Sequence, residues 1–148
     1  TRAFAERLNR FSALTIREAE TGDIVKPGQV LIAPGGKNLE FFSQDDKIIA
    51  TVSDPQDHQR YLPSVDKLFA SSAELFGDRV LGVVLTGMGN DGAIGTREVK
   101  SAGGTVFAEA EESCVVFGMP KEAIATGLVD RIVPLPQVCK EILQYCGY

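Results

Sequence analysis

The stretch VLGVVLTGMGNDGAIGT, Val80–Thr96, predicts the fold more clearly than any other part of the chain. It has an apolar segment typical of a buried strand, then a glycine-rich loop, then the start of a helix. One acidic residue, Asp91, lies inside the loop, at the carboxyl end of the predicted strand. Open α/β folds build their sites at that end of their strands. Because Gly87, Gly89 and Gly92 permit close approach of other backbone, we expect the loop to hold a side chain at a fixed place in a site.

Predicted strands and helices alternate on both sides of this stretch. Helices are predicted over Thr1–Phe11, from Pro63 to Gly77, through Arg97 and Val99, from Pro120, and over Pro136–Tyr145. Strands are predicted over Leu14–Ala19, Val30–Ala33, Thr105–Ala108 and Leu128–Val133, besides the central one. This alternation predicts an α/β fold with a doubly wound, mainly parallel sheet and helices on both faces. Leu39–Phe42 and Ile48–Val52 are predicted to add an antiparallel hairpin.

Composition and charge exclude several classes of protein. The 148 residues are enough for one domain with its own core, and no apolar run approaches the roughly 20 residues of a membrane helix. A net charge of −5 argues against nucleic-acid binding. The three cysteines, Cys114, Cys139 and Cys146, have neither metal-ligand nor disulfide spacing, which favours a reduced, cytoplasmic protein. Cys139 and Cys146 lie seven residues apart on a predicted helix, and we expect both to face the core.

The glycine-rich loop also matches a dinucleotide-binding motif. Gly87–Gly92 has the pattern G-x-G-x-x-G between a strand and a helix, and Glu109 lies near the position of a ribose-binding acid. A nicotinamide- or flavin-binding domain is therefore an alternative. Asp91 is the physical objection, because it places a negative charge inside a cradle that would hold pyrophosphate.

From the residues alone, Asp91 has two roles open to it. It can orient a histidine, as the aspartate of an acyl-transfer triad does, or it can accept backbone N–H groups at a helix N-terminus. The two roles are not exclusive. His58, the single histidine, lies in a polar segment and is expected to be an exposed loop residue.

No complete triad or metal site can be assembled from this chain. The candidate nucleophiles are Ser64, Ser71, Ser72 and Ser113, but none lies in a G-x-S-x-G setting, and Ser64 fits the start of a helix better. With one histidine and scattered cysteines, metal ligation is not supported.

Five segments match, in order, the pattern of one family. They are Phe4–Asn9 (FAERLN), Ala33–Gly36 (APGG), Pro63–Phe69 (PSVDKLF), Leu85–Gly95 (LTGMGNDGAIG) and Cys114–Ala123 (CVVFGMPKEA). On these motifs the chain resembles the catalytic domain of the chemotaxis protein-glutamate methylesterases, the CheB family. The matches cover nearly the whole chain, and the last two blocks together are highly specific. The resemblance implies a doubly wound α/β domain that hydrolyses glutamyl methyl esters on chemoreceptors and deamidates selected receptor glutamines.

The resemblance also implies roles for the residues of the loop. The family's triad aspartate corresponds to Asp91, and the methionine whose backbone N–H helps to form the oxyanion hole corresponds to Met88. The residues expected to support the site are Gly87, Gly89, Asn90 and Gly92. No cofactor is implied. The implied partners are the cytoplasmic helices of a methylated chemoreceptor and a receiver domain upstream in the same cytoplasmic protein.

The chain departs from the family pattern in several places. The family's nucleophilic serine and triad histidine belong to segments upstream of Thr1, and His58 matches neither. Tyr61-Leu62 stands where the family often has His-Arg, and Asn38 where it often has His. We therefore expect residues 1–148 to be the carboxyl-terminal part of a methylesterase domain that is inactive and unstable alone, with sheet edges uncovered. A non-catalytic homologue that docks on receptors remains an alternative.

Overall fold

The computed structural model describes all residues from Thr1 to Tyr148 and has the predicted α/β organisation. The strands are β1 (Thr15–Glu18), β2 (Gln29–Ile32), β3 (Asn38–Gln44), β4 (Lys47–Ser53), β5 (Leu81–Val84), β6 (Thr105–Glu109) and β7 (Arg131–Val133). The helices are α1 (Arg2–Asn9), α2 (Val65–Phe76), α3 (Ala93–Ser101), α4 (Met119–Ala125) and α5 (Leu135–Tyr145). The strand predicted over Leu128–Val133 is shorter in the structure and forms β7. The other predicted strands differ from the observed ones by a few residues at their ends.

The β5–β6–β7 sheet is parallel and carries helices on both faces, as predicted. The alternating side chains of β6 show this directly. Val106 belongs to a buried cluster with α2, α3 and α4, whereas the ring of Phe107 meets Tyr145 of α5 edge-on at 6.0 Å between centroids. The buried members of that cluster are Ala73, Val84, Val99, Val106 and Ala123.

β1 and β2 form a separate parallel ladder, joined by a connection that contains no helix. The connection instead runs along β4, the second strand of the hairpin. Ile24 bridges Ile49 in antiparallel fashion, and the Val25 N–H donates to the Ile48 carbonyl at 2.9 Å. Pairing with β4 satisfies backbone groups of this irregular segment, which explains how it dispenses with a crossover helix.

The predicted hairpin is confirmed, with Asn38–Gln44 paired to Lys47–Ser53. Its two-residue turn consists of Asp45 and Asp46, which have φ of 50° and 61°. Two successive left-handed residues are the requirement of a type I′ turn, and aspartate tolerates that conformation better than most residues. The turn therefore fixes the register of the hairpin.

Helix α2 joins the two halves of the fold. The helix ends at Gly77, as predicted. Ser64, which was expected within the first turn, is instead the N-cap, and its Oγ accepts the Lys67 N–H at 3.3 Å. Leu68 packs on the cluster of Ala19, Leu39 and Ala50 beneath the hairpin, while Phe69 packs on the cluster of the β5–β7 sheet. The Phe69 side chain leaves so little room that a Cβ on Gly95 of α3 would lie 2.7 Å from its Cβ.

One prediction about the core is wrong. Cys139 and Cys146 are both exposed rather than facing the core, and Val138 is the buried residue of α5. The amphipathic stripe of this helix runs through Val138 instead, so heptad spacing alone gave the two cysteines the wrong face. No helix of the structure has the length and apolar character needed to cross a membrane.

We predict that Gly95→Ala destabilises the fold, although alanine favours helices by about 1 kcal/mol over glycine. The new methyl group would meet the Cβ of Phe69, which is close to the backbone and cannot move away freely. Overpacking of this kind costs about 1–3 kcal/mol. Urea unfolding measures the change, with Arg97→Ala on the exposed face of α3 as the control. A Gly95→Ala protein more stable than its parent would contradict the packing.

A second prediction concerns Asp130, which ties α3 to the start of β6. Its carboxylate accepts from the Lys100 ammonium at 2.8 Å and from the Val106 N–H at 2.8 Å. Burial alone would raise the pKa of Asp130, but the Lys100 and Val106 bonds outweigh burial and lower it below its ordinary value. The charge therefore stabilises the fold fully above the unfolded-chain pKa of about 4, and this stabilisation disappears as the pH falls through the lower folded-state value.

Asp130→Asn is accordingly expected to lower the free energy of unfolding at neutral pH, by about 1 kcal/mol or less because the pair is partly exposed. The difference from the parent protein should shrink as the pH falls below about 4. Urea unfolding across that range tests this, with Asp57→Asn in an exposed loop as the control. A difference that does not depend on pH would exclude the charge as its cause.

Candidate active site

The predicted site loop follows β5 and leads into α3, at the carboxyl end of the parallel sheet. Backbone hydrogen bonds join it to the loop before α4. The Gly87 N–H donates to the Val116 carbonyl at 3.1 Å, and the Met119 N–H donates to the Gly87 carbonyl at 2.8 Å. The Thr86 hydroxyl oxygen also accepts the Val116 N–H at 2.8 Å. The two most specific sequence blocks are thus neighbours in space, and each fixes the other.

Asp91 is buried, with only 4% of its surface exposed, and its carboxylate lies at the N-terminus of α2. One oxygen accepts the Val65 N–H at 2.7 Å and the other accepts the Asp66 N–H at 2.9 Å. The Ser64 hydroxyl is a weaker third neighbour at 3.4 Å. Asp91 therefore satisfies backbone donors of a helix N-terminus, but the helix is α2, not α3, which Asp91 precedes in the sequence.

Asp66 makes the reciprocal contacts. Its Oδ1 accepts the Gly92 N–H at 2.9 Å and the Gly95 N–H at 2.7 Å, at the start of α3. Burial raises the pKa of Asp66, and the negative charge of Asp91 raises it further, although the Gly95 and Gly92 bonds oppose the rise. The N-terminus of α2 thus binds the carboxylate of Asp91, which precedes α3, and the N-terminus of α3 binds the carboxylate of Asp66, which lies in the first turn of α2.

Met88 lies at the tip of the loop, with 79% of its residue surface exposed. Neither its N–H nor that of Gly89 donates a hydrogen bond within the chain. A free N–H on such a loop is able to bind an oxygen that gains negative charge during a reaction. The loop therefore combines a fixed acceptor, Asp91, with available donors.

Tyr61 is a residue of this region whose role sequence analysis missed. Its hydroxyl oxygen accepts the Asn90 N–H at 3.2 Å, and its ring covers Gly89 so closely that a Cβ there would overlap the hydroxyl oxygen. Gly89 also has φ of +99°, which side chains disfavour. The departure from the family pattern at Tyr61 was a signal of a local difference, but nothing in the sequence pairs Tyr61 with the loop.

Glu109 supports the loop from the opposite side and has no access to a ligand. It is completely buried; one carboxylate oxygen accepts the Thr86 N–H at 2.7 Å and the other accepts the Ser113 hydroxyl at 2.9 Å. The Ser113 oxygen in turn accepts the Leu135 N–H at 2.9 Å. Glu109 therefore joins β6 to the site loop directly and to the start of α5 through Ser113, and its interpretation as a ribose-binding acid is wrong.

The start of α3 is also unsuited to a pyrophosphate. In the dinucleotide motif, the helix N-terminus after the glycine loop binds the phosphates. Here the Asp66 carboxylate occupies the N–H groups of Gly92 and Gly95, and Asp91 adds a second negative charge. The glycine pattern in this chain serves close packing of backbone and side chains instead.

Of the other candidate residues, Ser64 lies beside Asp91, whereas Ser71, Ser72 and His58 make no contact with its carboxylate. Ser64 is the N-cap of α2, while Ser71 and Ser72 both donate to the Leu68 carbonyl. His58 is exposed in the loop before α2, as expected, and its side chain makes no hydrogen bond within the chain. The loop therefore carries the buried Asp91 and the free Met88 N–H, and the carboxylate of Asp91 has the Ser64 hydroxyl but no histidine as a neighbour.

The geometry agrees with what comparison of the sequence finds. The family described as CheB methylesterase matches residues 1–142. The chain belongs to the CheB methylesterase family. It is 58% identical over 147 residues to protein-glutamate methylesterase/protein-glutamine glutaminase 3 of Geobacter sulfurreducens, with 99% of this chain and 40% of that protein covered. It is 50% identical over 138 residues to protein-glutamate methylesterase/protein-glutamine glutaminase 1 of Myxococcus xanthus, with 93% of this chain and 40% of that protein covered.

The CheB family fold extends over almost all of the chain. The crystal structure of the Thermotoga maritima CheB methylesterase catalytic domain aligns with a TM-score of 0.92 and 40% sequence identity, covering 98% of this chain and 77% of that one. The chain spans about 40% of the length of the two curated CheB relatives above. The doubly wound α/β class with its hairpin, predicted from the sequence, is thereby confirmed.

We predict that Tyr61→Phe loosens the loop locally without unfolding the protein. The ring stays on Gly89, but the Asn90 N–H loses its acceptor, which contributes about 0.5–1.5 kcal/mol. Hydrogen exchange of the Asn90 amide, followed by NMR, should become about two- to tenfold faster. Tyr145→Phe on α5 is the matched control. An unchanged Asn90 exchange rate would contradict the proposed contact.

Proposed function

We propose that the protein containing this chain is a chemotaxis methylesterase that hydrolyses glutamyl methyl esters on chemoreceptors and deamidates selected receptor glutamines. The observation that carries the proposal is the pairing, on one loop, of the buried Asp91 carboxylate with the unoccupied Met88 N–H. Membership of the CheB family supports it, as do the names of the relatives from Geobacter and Myxococcus.

Asp91 acts in this proposal as the residue that orients the general-base histidine. An ionised carboxylate offers about four lone-pair positions, and the Val65 and Asp66 N–H groups use two of them strongly. The others remain for an imidazole N–H. In a triad, the aspartate sets the histidine tautomer and stabilises the imidazolium that forms when the nucleophile loses its proton.

The Met88 N–H serves as an oxyanion donor. The ester or amide carbonyl oxygen becomes negative when the nucleophile attacks, and a positioned donor stabilises that charge. Such a donor contributes about 3–4 kcal/mol to lowering the barrier. Because hydrogen bonds through Gly87 fix the loop to the segment before α4, the donor is in place before substrate arrives.

The serine nucleophile and the histidine come from residues outside this chain. The serine hydroxyl attacks the carbonyl carbon, and the histidine takes its proton. Collapse of the tetrahedral intermediate breaks the bond from the carbonyl carbon to the methoxy oxygen, or to the amide nitrogen of glutamine. The imidazolium gives its proton to that leaving group, which departs as methanol or ammonia. Water then hydrolyses the acyl-enzyme to give glutamate. No cofactor takes part in this sequence of steps.

The organisation and partners of the whole protein follow from the same proposal. We infer that residues 1–148 are the carboxyl-terminal part of the catalytic domain, with the serine and histidine segments upstream; the 77% coverage of the Thermotoga domain supports this. The proposed partners are the cytoplasmic helices of a methylated chemoreceptor and a receiver domain that precedes the catalytic domain. The protein then acts in the cytoplasm, and the 148 residues alone lack esterase activity.

Replacement of Asp91 in the full-length protein tests the proposed reaction. We expect Asp91→Asn to lower kcat for release of methanol from a methylated receptor fragment by about 10⁴-fold, since the histidine loses its orienting carboxylate. The asparagine oxygen still accepts one N–H of α2, so the fold should survive, and thermal unfolding verifies this.

Asp78→Asn, at an exposed position before β5, is the matched control and should retain the parent rate. A folded Asp91→Asn protein that hydrolyses the ester within threefold of the parent would overturn the catalytic role and leave Asp91 as a helix cap. A full-length parent protein that binds the receptor but releases no methanol would instead support the non-catalytic alternative.

A further inference from the structure

The carboxylates of Asp66 and Asp91 form reciprocal caps, in which each accepts backbone N–H groups at the N-terminus of the other's helix. Asp91 accepts the N–H groups of Val65 and Asp66, while Asp66 accepts those of Gly92 and Gly95. All four distances lie between 2.7 and 2.9 Å. Asp66 thus holds the residue that directly follows Asp91, and Asp91 holds the backbone of Asp66.

These reciprocal caps go beyond what ordinary helix capping needs. α2 already has Ser64 as its N-cap, and the Asp66 side chain leaves its own helix to reach the first turn of α3. Asparagine caps a helix about as well as aspartate and would bring no second charge. The chain instead places two carboxylates together in a partly buried place. Burial there raises the pKa of Asp66, and the negative charge of Asp91 raises it further. Helix stability alone therefore does not account for a charged residue at position 66.

We propose that Asp66 is a positioning residue for the proposed esterase reaction and acts through Asp91. The inference rests on the proposed function. Through Gly92 and Gly95, the Asp66 carboxylate fixes the backbone on the carboxyl side of Asp91. The backbone N–H of Asp66 also donates to a carboxylate oxygen of Asp91. Both contacts limit the directions in which the remaining lone pairs of Asp91 can point toward a histidine.

The negative charge of Asp66 has a second effect on the same histidine. Two carboxylates behind an imidazole favour its protonated form more than one does. Among the ionisable groups around Asp66, Asp91 is the one whose charge acts on it; the other contacts are uncharged N–H groups. Removal of the Asp66 charge should therefore lower the pKa of the histidine that Asp91 orients.

Asp66→Asn in the full-length protein is the informative variant. Its amide oxygen still accepts from Gly92 and Gly95, so α3 keeps its cap, while its amide nitrogen faces Asp91 and competes for the carboxylate. We expect kcat for methanol release to fall by about 10–100-fold with KM little changed, as for a small misplacement of a catalytic group. The acid limb of kcat/KM should also move to lower pH, because the base must be neutral to act.

The double variant decides whether Asp66 acts through Asp91. If it does, Asp66→Asn should have no further effect on kcat in an Asp91→Asn background, so the two effects do not add. Asp66→Ala, which removes the oxygen that accepts both N–H groups, should lower the melting temperature as well as kcat. Glu74→Gln on the exposed face of the same helix is the matched control and should change neither.

Each of several results would overturn the inference. An Asp66→Asn protein with the parent kcat and pH profile would reduce Asp66 to a cap of α3. Additive losses in the double variant would mean that Asp66 acts independently of Asp91. If Asp91→Asn keeps the parent kcat, the proposed function itself is wrong. If Asp91→Asn is inactive but Asp66→Asn keeps the parent kcat and pH profile, only the present inference is wrong.

Discussion

The structure depends on one pair of reciprocal helix caps, in which Asp91 accepts N–H groups at the N-terminus of α2 and Asp66 accepts N–H groups at the N-terminus of α3. A buried carboxylate is unfavourable unless hydrogen bonds and nearby positive charge compensate for lost water. Asp66 and Asp91 obtain both from helix N-termini, where backbone N–H groups are unpaired and the helix dipole is positive. Because each carboxylate serves the other's helix, neither helix can be placed without its partner. These reciprocal caps thus fix the packing of α2 against α3.

That packing connects the candidate site with both hydrophobic cores. Leu68 of α2 reaches the cluster under the hairpin, and Phe69 reaches the cluster of the β5–β7 sheet. Gly95 of α3 leaves room for Phe69, and two residues upstream of α3 lies Asp91. A displacement of α2 would therefore disturb both cores and the carboxylate together. This explains why a short motif in α2 and the glycine-rich loop, far apart in the sequence, have to fit each other closely.

Much of the fold was predictable because its determinants are local. The strand, loop and helix of Val80–Thr96, the end of α2 at Gly77 and the hairpin all follow from apolar spacing and turn residues. The partners of Asp91 were not predictable in this way, since the capping role was recognised but the helix it caps begins some 25 residues earlier in the chain. Likewise, nothing local pairs Tyr61 with Asn90 or Glu109 with Thr86. The connection between β1 and β2 escaped prediction because it is stabilised by β4, which follows it in the sequence.

The two roles considered for Asp91, helix cap and partner of a histidine, are physically complementary. A free aspartate rotates about its side-chain bonds, and holding it in one orientation costs conformational entropy each time a histidine is bound. The Val65 and Asp66 N–H groups fix both oxygens of Asp91 in the folded state. The entropy is thus lost during folding, and in the proposed reaction the unused lone pairs would already have fixed directions when the histidine binds. Under the proposed function, capping is therefore the means by which the Asp91 carboxylate becomes preorganised for catalysis.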